Sequence, residues 1–187
     1  MSGSVAEVLT NNLQVEAALD QWDQPPSIDF VLRQDDGEVT LEDMEVPLAI
    51  WAAAPPHQVI TSIAAVASQL GFPQAMGPSS GTLIGVAIHT EAWAFLSDKD
   101  FTEEEKAHFN ELADLMERQS IAGHPEAVES KMIMALIDNG DSHMVSLRRD
   151  TGAIMNYDTT GDGNGFVDGR MLHALGHLLD AFKVNFS

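Results

Sequence analysis

Oxygen donors recur through Asp158-Thr159-Thr160-Gly161-Asp162-Gly163-Asn164 in the order that a calcium loop requires. Asp158, Thr160, Asp162 and Asn164 occupy its first, third, fifth and seventh positions, and Gly163 supplies the sharp turn at the sixth. The second half departs from that pattern. Gly165 stands where an aliphatic residue is wanted, and Gly169 where a bidentate glutamate would close the loop. Asp168 falls one residue early and would serve only in a distorted loop, and the segment before Asp158 reads as a strand rather than a helix. An Asp/Gly-rich turn without metal is the plainer reading.

His173 and His177 are four residues apart, a spacing that puts two imidazoles on one helical face, with Asp180 on roughly the same side as a third ligand for zinc. The glutamate base of a zincin is missing between them. His89 and Glu91 share one face of a strand and match the His-x-Glu of zinc deaminases, but that chemistry needs cysteine ligands and the chain has no cysteine. A hydrolase would have to draw on His89/Glu91 or on His173/His177. Asp150-Thr151-Gly152 copies the aspartic-protease tripeptide, yet Arg148-Arg149 precede it where a buried strand should run, so a turn is expected. Gly161-x-Gly163 stands without the rest of any phosphate-binding fingerprint, and no Gly-x-Ser-x-Gly or Walker loop occurs.

The elements that must position these groups centre on Gly81 to Leu96, an apolar run that reads as a central strand covered on both faces. Ile84, Val86 and Ile88 are expected on one face, and His89, Glu91 and Trp93 share a face further on. The N-terminal helix is expected over residues 4–20, capped by Ser4, with Val5, Val8, Leu9, Leu13 and Ala17 inward. Pro25-Pro26 stop the chain before a strand carrying Ile28, Phe30 and Leu32, and Asp35-Asp36-Gly37 turns it into a second strand. His57 to Leu70 reads as a helix burying Ile60, Ile63, Val66, Ala67 and Leu70. Thr102 to Glu105 is a capping box opening a helix to about Ser120. A hairpin turns at Asp138-Asn139-Gly140-Asp141, a strand follows over Ala153 to Tyr157, and the last helix spans 167–183 with Met171, Leu175, Leu178 and Phe182 inward. Hairpins and helices in mixed order predict an α+β fold: a mostly antiparallel sheet of about five strands with three to four helices, in one domain over 1–187.

Composition narrows the function classes. The chain carries 29 acidic residues against 9 basic ones, and Arg33 is the only lysine or arginine before Lys99. Such a surface repels phosphate backbones and anionic lipid, so direct nucleic-acid binding is not expected. The absence of cysteine excludes disulfides and thiolate chemistry. With no leader-like N-terminus and no apolar run long enough to span a bilayer, a cytoplasmic protein is expected.

Trp22-Asp23-Gln24-Pro25-Pro26, set between a helix and the strand of Ile28, Phe30 and Leu32, resembles the WDQPP segment of an uncharacterised family of small acidic actinobacterial proteins. That family is also similar in closing with a His-Pro segment (here His124-Pro125), a hairpin and an amphipathic helix. Ser27 and Asp29 depart from its pattern. The resemblance covers about half of the chain and implies a source in an actinobacterium or one of its phages, but no activity.

Together these features predict a non-enzymatic, acidic interaction module with no cofactor, whose partner is a basic protein surface. Its candidate face is Asp23, Asp29, Asp35, Asp36, Glu38, Glu42, Asp43 and Glu45, with Trp51 as an apolar anchor on a proline-broken segment, whereas Trp22 and Trp93 are expected in the core. A phage inhibitor imitating the charge of nucleic acid is a special case. The alternative is calcium bound by Asp158, Thr160, Asp162, Asn164 and Asp168.

Overall fold

The computed structural model describes residues 3–71, 77–94, 127–159 and 169–186. Helix α1 (Val5–Ala18) opens the chain, and strands β1 (Ser27–Arg33) and β2 (Val39–Asp43) form a hairpin. A short helix α2 (Leu48–Trp51) leads to α3 (Pro56–Leu70) and strand β3 (Thr82–Ala94). Strands β4 (Val128–Ile137), β5 (Ser142–Arg148) and β6 (Ile154–Thr159) follow, and helix α4 (Arg170–Phe186) closes the described chain. The sheet is antiparallel, in the order β2-β1-β3-β4-β5-β6. The α+β architecture is therefore as expected, with six strands among the described residues where about five were expected, and β3 inside the sheet. The helix expected between residues 102 and 120 lies outside the described residues.

Local chemistry explains these boundaries. The Ser4 hydroxyl accepts from the Glu7 amide while the Glu7 carboxylate accepts from the Ser4 amide, a reciprocal cap that satisfies two otherwise unpaired donors. Pro55 and Pro56 start α3, where their missing N–H groups cost nothing. At the β1–β2 turn Gly37 takes φ 86°, a left-handed conformation that suits glycine.

Helices cover both faces of the sheet, giving two cores. One face carries Ile28, Phe30, Leu32, Val86 and Ile88 against Val59, Ile60 and Ala64 of α3 and Leu175, Leu178 and Phe182 of α4. The Phe30 and Phe182 rings are tilted at 56° with centroids 5.1 Å apart. The other face packs Val31, Ala87, Ile133, Ala135, Val145 and Leu147 under Leu9 and Leu13 of α1.

Three expectations are corrected. Ile84 does not share a face with Val86 and Ile88, because the β1–β3 register shifts between Val31 and Leu32, where Leu32 pairs with Leu83 while Val31 pairs with Gly85. This bulge turns Ile84 to the α1 side. Gly85 beside it has no room for a side chain, since a Cβ there would lie 2.5 Å from the Leu136 carbonyl oxygen. On α3, Val66 and Leu70 point outward at 55% and 81% exposure, and Val59 and Ala64 take the inward positions. The stripe is rotated because α3 packs chiefly on α4. Trp51 is not a surface anchor: it is 9% exposed and belongs to the α3/α4 core.

Candidate functional site

The α1 face of the sheet changes character at the α1 C-terminal end, from an apolar core to a cluster of charges. Residues of β4 in phase with Ile133, Ala135 and Ile137 reach Lys131, and those of β3 in phase with Ala87 reach His89 and Glu91. Glu91 lies directly opposite Lys131 in the β3–β4 register. From above, α1 contributes Glu16, one turn beyond Leu13. Asp29 of β1 completes the set.

Distances define a continuous network. Nδ1 of His89 donates to Glu16 Oε1 at 2.9 Å. Nε2 of His89 meets Asp29 Oδ2 at 2.6 Å, a charge contact rather than an aligned hydrogen bond. The Lys131 ammonium lies 3.1 Å from Glu16 Oε2 and 3.3 Å from Glu91 Oε1, and also donates to the Gln21 carbonyl. Lys131 is 4% exposed, so these oxygens take the place of water around its ammonium.

Burial acts most strongly on His89 and works to strip its proton, but the contacts to Asp29 and Glu16 outweigh it and raise the pKa from 6.5 to about 9. Glu16 shows the mirror case. Burial favours its neutral form, yet His89 and then Lys131 together hold its carboxyl below the ordinary range.

The Trp22-Asp23-Gln24-Pro25-Pro26 segment closes over this network. Asp23, at φ 60°, presents its amide and that of Gln24 to the same carboxylate, donating to Glu91 Oε2 at 2.8 Å and Oε1 at 3.3 Å. The Trp22 ring lies under two cations, with Lys131 Nζ 5.6 Å and Arg149 Cζ 4.9 Å from its centroid. Trp22 is accordingly half-buried rather than fully in the core. Arg149 further bridges Asp23 and Glu129, with Glu129 Oε2 at 2.9 Å from Nη1 and Asp23 Oδ2 at 3.3 Å from Nη2. The proline segment is thus a strap tied down by Glu91, Lys131 and Arg149. A cleft of about 250 Å³ remains beside it, lined by Glu16, Gln24, Ser27, His89, Glu91 and Lys131 among others.

The chemistry open to this cluster is limited by its own pairing. A carboxylate sits against each ring nitrogen of His89, leaving neither to take a substrate proton. Asp23, Glu91 and Glu129 bring ligand oxygens within 4.8 Å of one another, but Arg149 and Lys131 already supply positive charge there.

The other sequence candidates lie apart. His173 and His177 sit exposed on α4, on the face of the sheet opposite His89, in a shallow cleft with Asp180. They do not form a group of three converging ligands with Asp180. Asp158, the first donor of the calcium pattern, pairs with His143 directly across the β5–β6 register at 2.7 Å. Thr160, Asp162, Asn164 and Asp168 lie outside the described residues, as does the Trp93 side chain. Asp150-Thr151-Gly152 forms the exposed β5–β6 turn, with Asp150 accepting from Arg148 Nε and Nη2.

The candidate acidic face divides. Asp29 is buried at 7% exposure against His89 and does not face a partner, whereas Asp23 is exposed but paired with Arg149. Glu42 is half-buried and accepts from the amide and hydroxyl of Ser79. Asp35, Asp36, Glu38, Asp43 and Glu45 are exposed around the β1–β2 turn and the exit from β2, and among the described residues none of them is in an ion pair. Beyond Glu45, Leu48 and Ile50 of α2 are exposed at 67% and 41%.

Glu16, Lys131, Glu129 and Arg149 escaped the sequence reading. Two of them carried a signal: Lys131 is a cation in phase with a buried strand face, and Glu16 falls in the inward stripe of α1. No helix among the described residues is long and apolar enough to cross a membrane. Comparison of the chain with family models, curated proteins and solved structures finds no match.

Proposed function

We propose that this protein is a non-enzymatic interaction module that holds a basic protein surface against its β1–β2 acidic face. The observation that carries this reading is the set of five exposed carboxylates, Asp35, Asp36, Glu38, Asp43 and Glu45, with no cation paired to them among the described residues. Like charges gathered on one edge repel each other and lower the cost of binding a cation-rich partner. Leu48 and Ile50, adjoining in sequence, supply the small apolar contact that turns an electrostatic encounter into a complex. The interaction draws the partner in over roughly a Debye length, about 8 Å at physiological salt, and weakens as salt rises. A partner that otherwise binds nucleic acid would be the case in which the face imitates phosphate charge.

Calcium bound by the loop from Asp158 to Asp168 is the lesser reading, since Asp158 is engaged by His143. A melt with calcium and with chelator tests it, and an unchanged melting temperature removes it.

The test of the main reading is capture from host lysate at low and high salt, by the native protein and by a variant carrying Asp35→Asn, Asp36→Asn, Glu38→Gln, Asp43→Asn and Glu45→Gln. A defined partner held at low salt by the native chain, and lost from the variant, is expected. Equal capture by both, or recovery only of an indiscriminate set of basic proteins, overturns the reading.

A further inference from the structure

Building on the acidic-face reading, we propose that the partner binds as an extended, lysine- or arginine-rich segment that adds a strand to the outer edge of β2. Strand β2 ends the sheet, and among the described residues nothing pairs with its outer side. The amide of Gln34 donates to the Glu38 carbonyl and that of Met44 to the Ile28 carbonyl, which fixes the phase of the β1–β2 ladder. Glu38, Thr40 and Glu42 therefore turn their backbone groups toward β1, while Val39, Leu41 and Asp43 turn theirs outward. Val39 is recessed at 5% exposure, so the accessible edge runs through half-buried Leu41 and exposed Asp43.

Sheet edges are ordinarily blunted by lysine, proline or a bulge. The sequence Val-Thr-Leu-Glu-Asp has neither lysine nor proline, and its pairing with β1 runs without a register shift. Its charge is wholly negative, with Asp35, Asp36 and Glu38 at one end and Asp43 and Glu45 at the other. A second copy of β2 would set carboxylate against carboxylate, which disfavours self-pairing, whereas a basic strand is attracted along its whole length. Backbone hydrogen bonds then give affinity and alternate side chains give selectivity. The opposite edge, β6, lacks this field, its one carboxylate, Asp158, being paired with His143.

The probe is an eight-residue peptide of alternating lysine and valine, compared with the same peptide N-methylated on every backbone nitrogen, so that neither edge of its strand can donate. Both carry the same charge, but the methylated one cannot pair as a strand. The unmodified peptide is expected to bind about tenfold more tightly, the loss of one to two net hydrogen bonds. It should also slow amide exchange at Leu41 and Asp43. Equal affinities, or protection appearing on β6 instead, overturn strand addition and leave the acidic-face reading standing. Failure of both peptides to bind at low salt overturns both readings.

Discussion

The carboxylates of Glu16, Asp29 and Glu91 and those of Asp35, Asp36, Glu38, Asp43 and Glu45 belong to the same acid-rich leading half of the chain, yet they occupy opposite environments. The first set is held under α1 against His89 and Lys131. The second stands in solvent around the β1–β2 turn and the exit from β2, with Asp43 directly across the ladder from Asp29, and no cation is paired to it among the described residues. Lys131 and Arg149, which neutralise the first set and Asp23, come from the trailing half of the chain. The contrast teaches that a uniform excess of acid in sequence becomes two different things in three dimensions. One is a clamp that fastens α1 and the proline strap to the sheet, and the other is a set of exposed carboxylates with no cation paired to them among the described residues.

Substitutions should separate the two sets, the largest effect falling on the clamp. Lys131→Met leaves Glu91 without its cation and Glu16 with His89 alone, and removing one partner of a buried pair costs about 3–5 kcal/mol. Urea denaturation should show that loss, and a change below about 1 kcal/mol would mean that solvent already screens the pair. Gly85→Ala forces β3 and β4 apart at the Leu136 carbonyl and should cost about 1–3 kcal/mol in the same measurement. A neutral outcome there would show that the chain has room for a side chain at Gly85.

His89 gives the comparison a pH dependence with a definite sign. Its folded pKa, about 9, lies above the ordinary 6.5, so the folded state holds the proton more tightly. The resulting stability is fully present below pH 6.5 and is lost as pH rises toward and through 9, on the order of 3 kcal/mol at most. Urea midpoints taken from pH 6 to 10 should fall for the native chain and fall much less for His89→Gln. Glu16, held below its ordinary range, acts in the other direction, its contribution fading as the solution is acidified through the carboxylate range. The smallest effect on stability should come from the exposed set. Amide substitution at Asp35, Asp36, Glu38, Asp43 and Glu45 should move unfolding by no more than about 0.5 kcal/mol per site. A large loss would show that the hairpin carboxylates are structural and not spare.

Much of the frame was legible in the chain, because apolar periodicity is a local signal. Leu9 and Leu13 on α1, Ile28, Phe30 and Leu32 on β1, and Leu175, Leu178 and Phe182 on α4 all pack as their spacing requires. The Ile84 bulge was hidden because it depends on the partner strand, and the rotation of α3 because it depends on α4. The clamp was hidden for a related reason. Glu16, Asp29, His89 and Lys131 come from four elements, and nothing local says that their charges meet. The Trp22–Pro26 segment drew notice as a motif, but its anchoring by Glu91 and Arg149 belongs to the tertiary structure.

The central claim, that the hairpin carboxylates bind the partner by virtue of position and not merely of charge, is tested most directly with two variants of equal charge change. One carries Asp36→Asn, Asp43→Asn and Glu45→Gln, and the other Asp20→Asn, Asp138→Asn and Asp180→Asn, all exposed positions. The dissociation constant of the captured partner, measured at one low salt concentration, should rise at least about tenfold for the first variant and less than about twofold for the second. Equal weakening in both would contradict the claim, since net charge alone would then account for binding.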